Sequence, residues 1–216
     1  MENTFSARSS LVNEMLEGQL NQLFARLEAP VEFTCILDGS EKSAEMAALV
    51  NHITSLSEQL SVRLLAPGEE PEMDEALDAS LLPATAVGGT RMVFHGVPGG
   101  KEITAFAGAI LNAGNAAKAL DKYTLRDIAK VKKPVKLQVC VSLGCAHCSQ
   151  LVVSAQRIAW ENENVTAHMI DANLYPELVK TMDIQRVPLT LINGKDRIYG
   201  GKTMAELTTL LAKYKA

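Results

Sequence analysis

Val135-Lys136-Leu137-Gln138-Val139-Cys140-Val141-Ser142-Leu143-Gly144-Cys145-Ala146-His147-Cys148 is the stretch that decides how this chain is read. The run Val135 to Val141 is strand-like, and two cysteines separated by two residues follow where the strand hands over to a helix. That placement predicts the first thiol at a helix N-terminus, where the positive end of the helix dipole and free backbone N–H groups favour thiolate over thiol. The second cysteine is expected one turn inside the helix, close enough to close a small disulfide ring. The pair therefore reads as a redox site that cycles between dithiol and disulfide. A zinc site needs four ligands, and no second pair stands at a suitable spacing, so no metal is expected.

Composition is that of an ordinary soluble protein and argues against nucleic acid and membrane as partners. A chain of 216 residues, 47% hydrophobic and 21% charged, buries one large core or two small ones. A net charge of −4 and a pI near 5.6 leave no basic face for nucleic acid or anionic lipid. Met1 to Arg8 is polar, without an apolar signal core, and no apolar run approaches membrane-spanning length. A cytoplasmic location with no membrane contact is the expectation. Four cysteines are too few for a disulfide framework in a chain this long, and Cys-x-x-Cys in such a setting reads as catalytic or metal-binding.

Working outward from the cysteine pair, the chain repeats itself. Pro30-Val31 and Pro134-Val135 each open a strand, at an offset of 104. Strands near Val62 and Val165 stand 103 apart, and Leu82-Pro83 precedes Val187-Pro188 by 105. The turn pairs Gly88-Gly89 and Asn193-Gly194 repeat at 105. Each half reads strand, helix, strand, a Pro-led hairpin and a closing helix. In the second half Ala146 to Trp160 carries Leu151, Val152, Ala155, Ile158 and Ala159 at helical spacing, and Thr203-x-x-Glu206 caps the last helix. The expected fold is α/β: two tandem thioredoxin-like folds, mixed sheets flanked by helices, packed together. The expected limits are an N-terminal helix in 1–29, a redox-inactive domain over 30–114, a helical linker over 115–133 and a redox-active domain over 134–216. The N-terminal helix spans roughly Ser10 to Leu27, and the linker helix Asn115 to Lys133 has Thr124-x-x-Asp127 as a cap.

Only the second half has thiols at the motif. The matching place in the first half reads Glu41-Lys42-Ser43-Ala44, so that half serves as a scaffold or as a peptide-docking surface.

Two such halves, with Ser142 to Cys148 in the second only and Val187-Pro188 ahead of Asn193-Gly194-Lys195, resemble the N-terminal region of the family of alkyl hydroperoxide reductase F subunits. The first half agrees through Leu37-Asp38-Gly39-Ser40, Lys42-Ser43-Ala44-Glu45 and Gly99-Gly100-Lys101-Glu102-Ile103-Thr104. The resemblance implies electron transfer from a flavin-bearing disulfide reductase to a two-cysteine peroxiredoxin. It makes Cys145 the attacking thiol and Cys148 the resolving one. It places Glu102, from the silent half, near the disulfide, and it implies a cis Pro188 that leaves the backbone of Val187 free to pair with a substrate chain. No Gly-x-Gly-x-x-Gly follows a strand anywhere, so no cofactor is expected here. A separate flavoprotein would reduce the chain, or the chain is one domain of a longer enzyme.

Other residues carry supporting or plainer readings. His147, when protonated, would favour the neighbouring thiolate. Many thioredoxins place an Asp six residues before the first cysteine, where this chain has Val139, so Glu102 is the candidate proton acceptor. Its plainer role is an acid at a helix N-terminus. Cys35, Cys140, His168 and Trp160 read as packing residues, with a minor redox role the alternative for Cys140; His52 and His95 carry no signal, and Gly68 to Asp78 reads as a solvated acidic loop, with partner docking the alternative. Two rivals to the peroxiredoxin reading are a general protein disulfide reductase and a redox-sensing adaptor.

Overall fold

A computed structural model describes residues 8–215, and Met1 to Ala7 of the polar N-terminal stretch lie outside the described residues. The repeat is realised as βαβαββα in each half. The first half comprises β1 (Val31–Ile36), α2 (Glu41–Thr54), β2 (Leu60–Leu65), α3 (Pro71–Leu77), β3 (Ala84–Val87), β4 (Met92–His95) and α4 (Ile103–Ala113). The second comprises β5 (Val135–Val141), α6 (Cys148–Glu161), β6 (Val165–Asp171), α7 (Pro176–Thr181), β7 (Leu189–Ile192), β8 (Asp196–Tyr199) and α8 (Met204–Leu210). α1 (Glu14–Phe24) precedes the first half and α5 (Lys122–Ile128) joins the two.

The eight strands form one sheet, in the order β2-β1-β3-β4-β6-β5-β7-β8. The halves are joined edge to edge: β4 pairs in parallel with β6, Met92 opposite Ala167 and His95 opposite Ile170. Each half keeps its own mixed pattern, with β1 parallel to β2 and antiparallel to β3, and β5 parallel to β6 and antiparallel to β7. One face of the sheet carries a single apolar core running through both halves, from Phe24, Phe33 and Phe106 to Val139, Leu151 and Leu207. The opposite face carries two small cores, one under α3 around Leu77 and one under α7 around Ile170 and Leu189. Cys35 and Cys140 fall on opposite faces, as their strand parity requires.

Several boundaries differ from the sequence expectation, each for a local reason. α1 starts at Glu14 rather than near Ser10 because the Asn13 side chain accepts from Leu16 N–H and caps it there. The linker is helical only over α5, since Asn115 takes a left-handed φ of 56° and Asp121 caps the helix by accepting from Tyr123 and Thr124 N–H. Thr124 is thus inside the helix, donating to Asp121, rather than its cap. The stretch Gly68 to Asp78 is not a loop throughout: Pro71 opens α3, whose Leu77 is fully buried. Both hairpin turns match the expectation, with Gly88, Gly89, Asn193 and Gly194 all at positive φ.

His95 and His168 meet where the halves join. The rings stack with centroids 5.2 Å apart, His95 Nε2 lies 2.9 Å from His168 Nδ1, and His95 Nδ1 lies 2.8 Å from the Leu81 carbonyl. Burial pushes both imidazoles down, His95 to about 4 and His168 to about 2, with Asp78 and Lys136 the charged groups that face them.

Candidate active site

β5 ends at Val141 and the chain turns through Ser142 to Gly144, with Cys145 N–H donating to the Ser142 carbonyl at 2.9 Å. Cys145 and Cys148 are joined by a disulfide with Cα atoms 5.5 Å apart. Cys148 is the first residue of α6 rather than one turn inside it, and His147 is the N-cap. The ordering of access is clear: Cys148 is fully buried, Cys145 is half-buried and His147 is exposed. The sulfur that another molecule can reach is therefore that of Cys145, set at the positive end of a 14-residue helix. Among the described residues the free thiols are Cys35 and Cys140, both buried and pushed up to about 12 and about 11 by desolvation. Neither competes as a nucleophile. Val139, where many thioredoxins hold an acid, is buried and apolar.

The silent half reaches this site through Gly99 to Glu102. A short 3₁₀ turn, Gly100–Glu102, packs against α6 and against Leu143 of the cysteine loop. Gly100 has φ +56°, and a Cβ there would stand 3.1 Å from the Leu143 carbonyl oxygen, so a side chain at this position would strain the backbone and crowd the cysteine loop. Glu102 ends the turn fully buried, and neither carboxylate oxygen has a hydrogen-bond partner among the described residues. Burial, with Asp171 adding like charge, raises its carboxyl to about 7. Sequence reasoning overlooked Asp171, at the end of β6. Burial raises its carboxyl too, and its Cβ would lie 3.2 Å from a Cβ at Gly96.

Val187-Pro188 is a cis peptide leading into β7, the strand that pairs with β5 through Cys140 opposite Leu189. Pro188 is buried, and Val187 is half-buried with its backbone N–H and C=O in no hydrogen bond among the described residues. Gly201, after β8, comes against His147. Among the described residues no cluster of His, Cys, Asp and Glu is arranged to hold a metal ion, and no helix is long and apolar enough to cross a membrane.

The buried groups give stability two opposing pH dependences. The imidazoles of His95 and His168, neutral when folded, take up protons near pH 6.5 when unfolded, so their contribution is lost as pH falls from 6.5 towards 4 and below. Glu102 has the reverse sign: its contribution is complete below pH 4.5 and is lost as pH rises through about 7. Each proton of difference is worth about 1.4 kcal/mol per pH unit. Between pH 4.5 and 6.5 the urea midpoint of Glu102→Gln is therefore expected to climb with pH more steeply than that of the parent. Equal slopes would disprove the raised carboxyl.

Known proteins share this organisation. A family model described as a thioredoxin domain matches residues 135–212. The alkyl hydroperoxide reductase F subunit of Staphylococcus aureus is 27% identical over 201 residues, covering 93% of this chain and 38% of that protein. The chain thus spans little more than a third of that curated relative's length. A solved alkylhydroperoxide reductase F subunit of Enterococcus faecalis is 32% identical with a TM-score of 0.87, and the match covers 93% of this chain and 99% of the solved one. The NTD_N/C domain of the same E. faecalis protein is 31% identical at a TM-score of 0.86, with the same coverage of both chains.

Proposed function

Because this chain belongs to the family of alkyl hydroperoxide reductase F subunits, matching their N-terminal domain, we propose that it carries electrons from a flavin-dependent disulfide reductase to a two-cysteine peroxiredoxin in the cytoplasm. Thiol–disulfide exchange is the chemistry of this fold and this cysteine pair. The observation that carries the reading is the Cys145–Cys148 disulfide, with one sulfur half-buried and the other fully enclosed, in a two-lobed domain of this family.

The cycle balances within the pair. In the dithiol form, the Cys145 thiolate attacks one sulfur of the peroxiredoxin disulfide. A Cys145–peroxiredoxin S–S bond forms, the peroxiredoxin bond breaks, and the departing thiolate takes a proton. Cys148 then gives up its proton and attacks the Cys145 sulfur, closing the disulfide seen in the structure and releasing the second peroxiredoxin thiol. The peroxiredoxin gains two electrons and two protons, and this chain loses them. Two electrons from the flavin-dependent reductase, with two protons from solvent, reopen the pair to the dithiol.

Four residues support the exchange. Glu102 receives the Cys148 proton: it is buried on a turn packed against α6, and a carboxyl near 7 is well matched to proton transfer at neutral pH. His147, exposed beside the pair, adds positive charge to the thiolate's surroundings when protonated. Val187 offers its unpaired backbone groups to an extended substrate chain, and the cis Pro188 sets their direction at the start of β7.

The test compares substrates. The domain, reduced and freed of reductant, is mixed with oxidised peroxiredoxin or with insulin. Stoichiometric reduction of the peroxiredoxin at a rate at least about tenfold above insulin, roughly 1.4 kcal/mol of discrimination, is expected. Equal rates would assign a general protein disulfide reductase, and no exchange with either would assign a sensing adaptor.

A further inference from the structure

The silent half carries its own copy of the substrate edge, and the structure shows it in use. Leu82-Pro83 stands where Val187-Pro188 stands in the active half; both are cis, and Gly96 and Gly200 donate alike to the Pro83 and Pro188 carbonyls at 2.9 Å. The two edges then differ. Whereas Val187 has no backbone partner among the described residues, the Leu82 carbonyl accepts a 3.0 Å hydrogen bond from the Tyr175 hydroxyl of the active half. Leu81, the residue before, is buried among Cys140, Ile170, Ile184 and Leu189 of the active half.

Tyr175 is the residue that enters α7, and α7 leads directly to the Val187-Pro188 edge. Its ring and the side chain of Val187 pack on the same small core that Leu81 completes. A continuous path of packed atoms therefore runs from the silent edge, through Tyr175 and Leu81, to the working edge. A half-buried phenol needs a hydrogen-bond partner, and its titration is pushed up by burial, then by Asp171 and Asp38, so it remains a donor. The hydroxyl also takes the acceptor that an incoming chain would use in the open cleft of about 520 Å³ lined by Asp38, Ser40, Ser80 and Leu82.

We propose that Tyr175 is a positioning residue for disulfide exchange: its bond to the Leu82 carbonyl closes the silent edge and clamps α7, so that the Val187-Pro188 edge is held ready for the substrate chain. This rests on the reading that Val187-Pro188 receives that chain. It gives the thiol-free half a mechanical part in the reaction.

Tyr175→Phe keeps the ring and removes only the hydroxyl. With oxidised peroxiredoxin as the varied substrate, KM is expected to rise by up to about fivefold, the factor carried by one net hydrogen bond, with kcat unchanged. Reduction of hydroxyethyl disulfide, too small to span the edge, stays at the parent rate, as does the potential of the cysteine pair. Amide exchange over residues 184–189 becomes faster. An unchanged KM, or an equal loss with the small disulfide, overturns the proposal. Amide protection at Val187 in the mixed disulfide formed by Cys148→Ser separates the two layers. If Val187 is protected there while Tyr175→Phe leaves KM alone, the clamp is wrong and the edge reading stands; if Val187 gains no protection, both fall.

Discussion

Cys148→Ser is expected to abolish turnover while leaving the first exchange intact, so that the domain accumulates as a covalent complex with its partner through Cys145. The reason is the unequal access of the two sulfurs. Cys145 is half-buried and reachable, so it makes the intermolecular bond; Cys148 is fully enclosed at the first residue of α6, so it serves only to resolve that bond from within. A serine there cannot displace a thiolate from sulfur under these conditions, and the mixed disulfide has no exit. Mass spectrometry of the non-reduced mixture should show one peroxiredoxin chain per domain, linked at Cys145. Trapping that instead requires Cys145→Ser would reverse the roles. The same assay isolates Glu102, whose replacement by Gln removes the proton acceptor for the second step only. The mixed disulfide should then form at the parent rate and resolve about a hundredfold more slowly, the lower range of a positioned general base. Equal slowing of both steps would show that Glu102 acts on the fold rather than on the proton.

How much of this was legible beforehand follows from where the information sits in the chain. The cysteine pair, the two hairpin turns and the offset near 105 were readable because each depends on a few local residues: thiols after a strand, and Gly or Asn where φ must be positive. The short helices α3 and α7 were missed because six or seven residues are too few to display a helical period, although each opens on a proline, a signal worth reading. Fusion of two sheets into one was hidden for a different reason. The β4–β6 contact pairs two strands with 69 residues between His95 and Val165, and nothing local in either strand marks an edge as paired. The stacked His95 and His168 rings and the Tyr175 hydroxyl are consequences of that junction and were equally invisible. Glu102 came into view only through family resemblance; its burial without a partner is what gives the resemblance physical content.

Phe106→Ala is expected to lower the free energy of unfolding by about 3–5 kcal/mol, and to do so for the active half as much as for the silent one. Phe106, on α4, is fully buried between Phe33, stacked at 5.6 Å, and Phe94, edge-on at 5.0 Å. Truncation therefore loses its contacts with both rings and leaves a cavity that β1 and β4, fixed in the sheet, cannot close by collapse. Against a total of about 5–15 kcal/mol for a typical domain, that is a large share. The loss spreads because no structural seam divides the halves: β4 carries Phe94 and pairs with β6, α4 packs on α6, and one apolar core runs from Phe106 to Leu151. Unfolding the silent half alone would strip β6 of β4, one of its two neighbours, expose the underside of α6 and withdraw Glu102 from the cysteine loop. A single urea transition is thus predicted for both the parent and Phe106→Ala, with far-ultraviolet circular dichroism and Trp160 fluorescence moving together to a lower midpoint. Two resolved transitions, with Cys145 still able to exchange disulfides between them, would show that the active half stands without its silent partner.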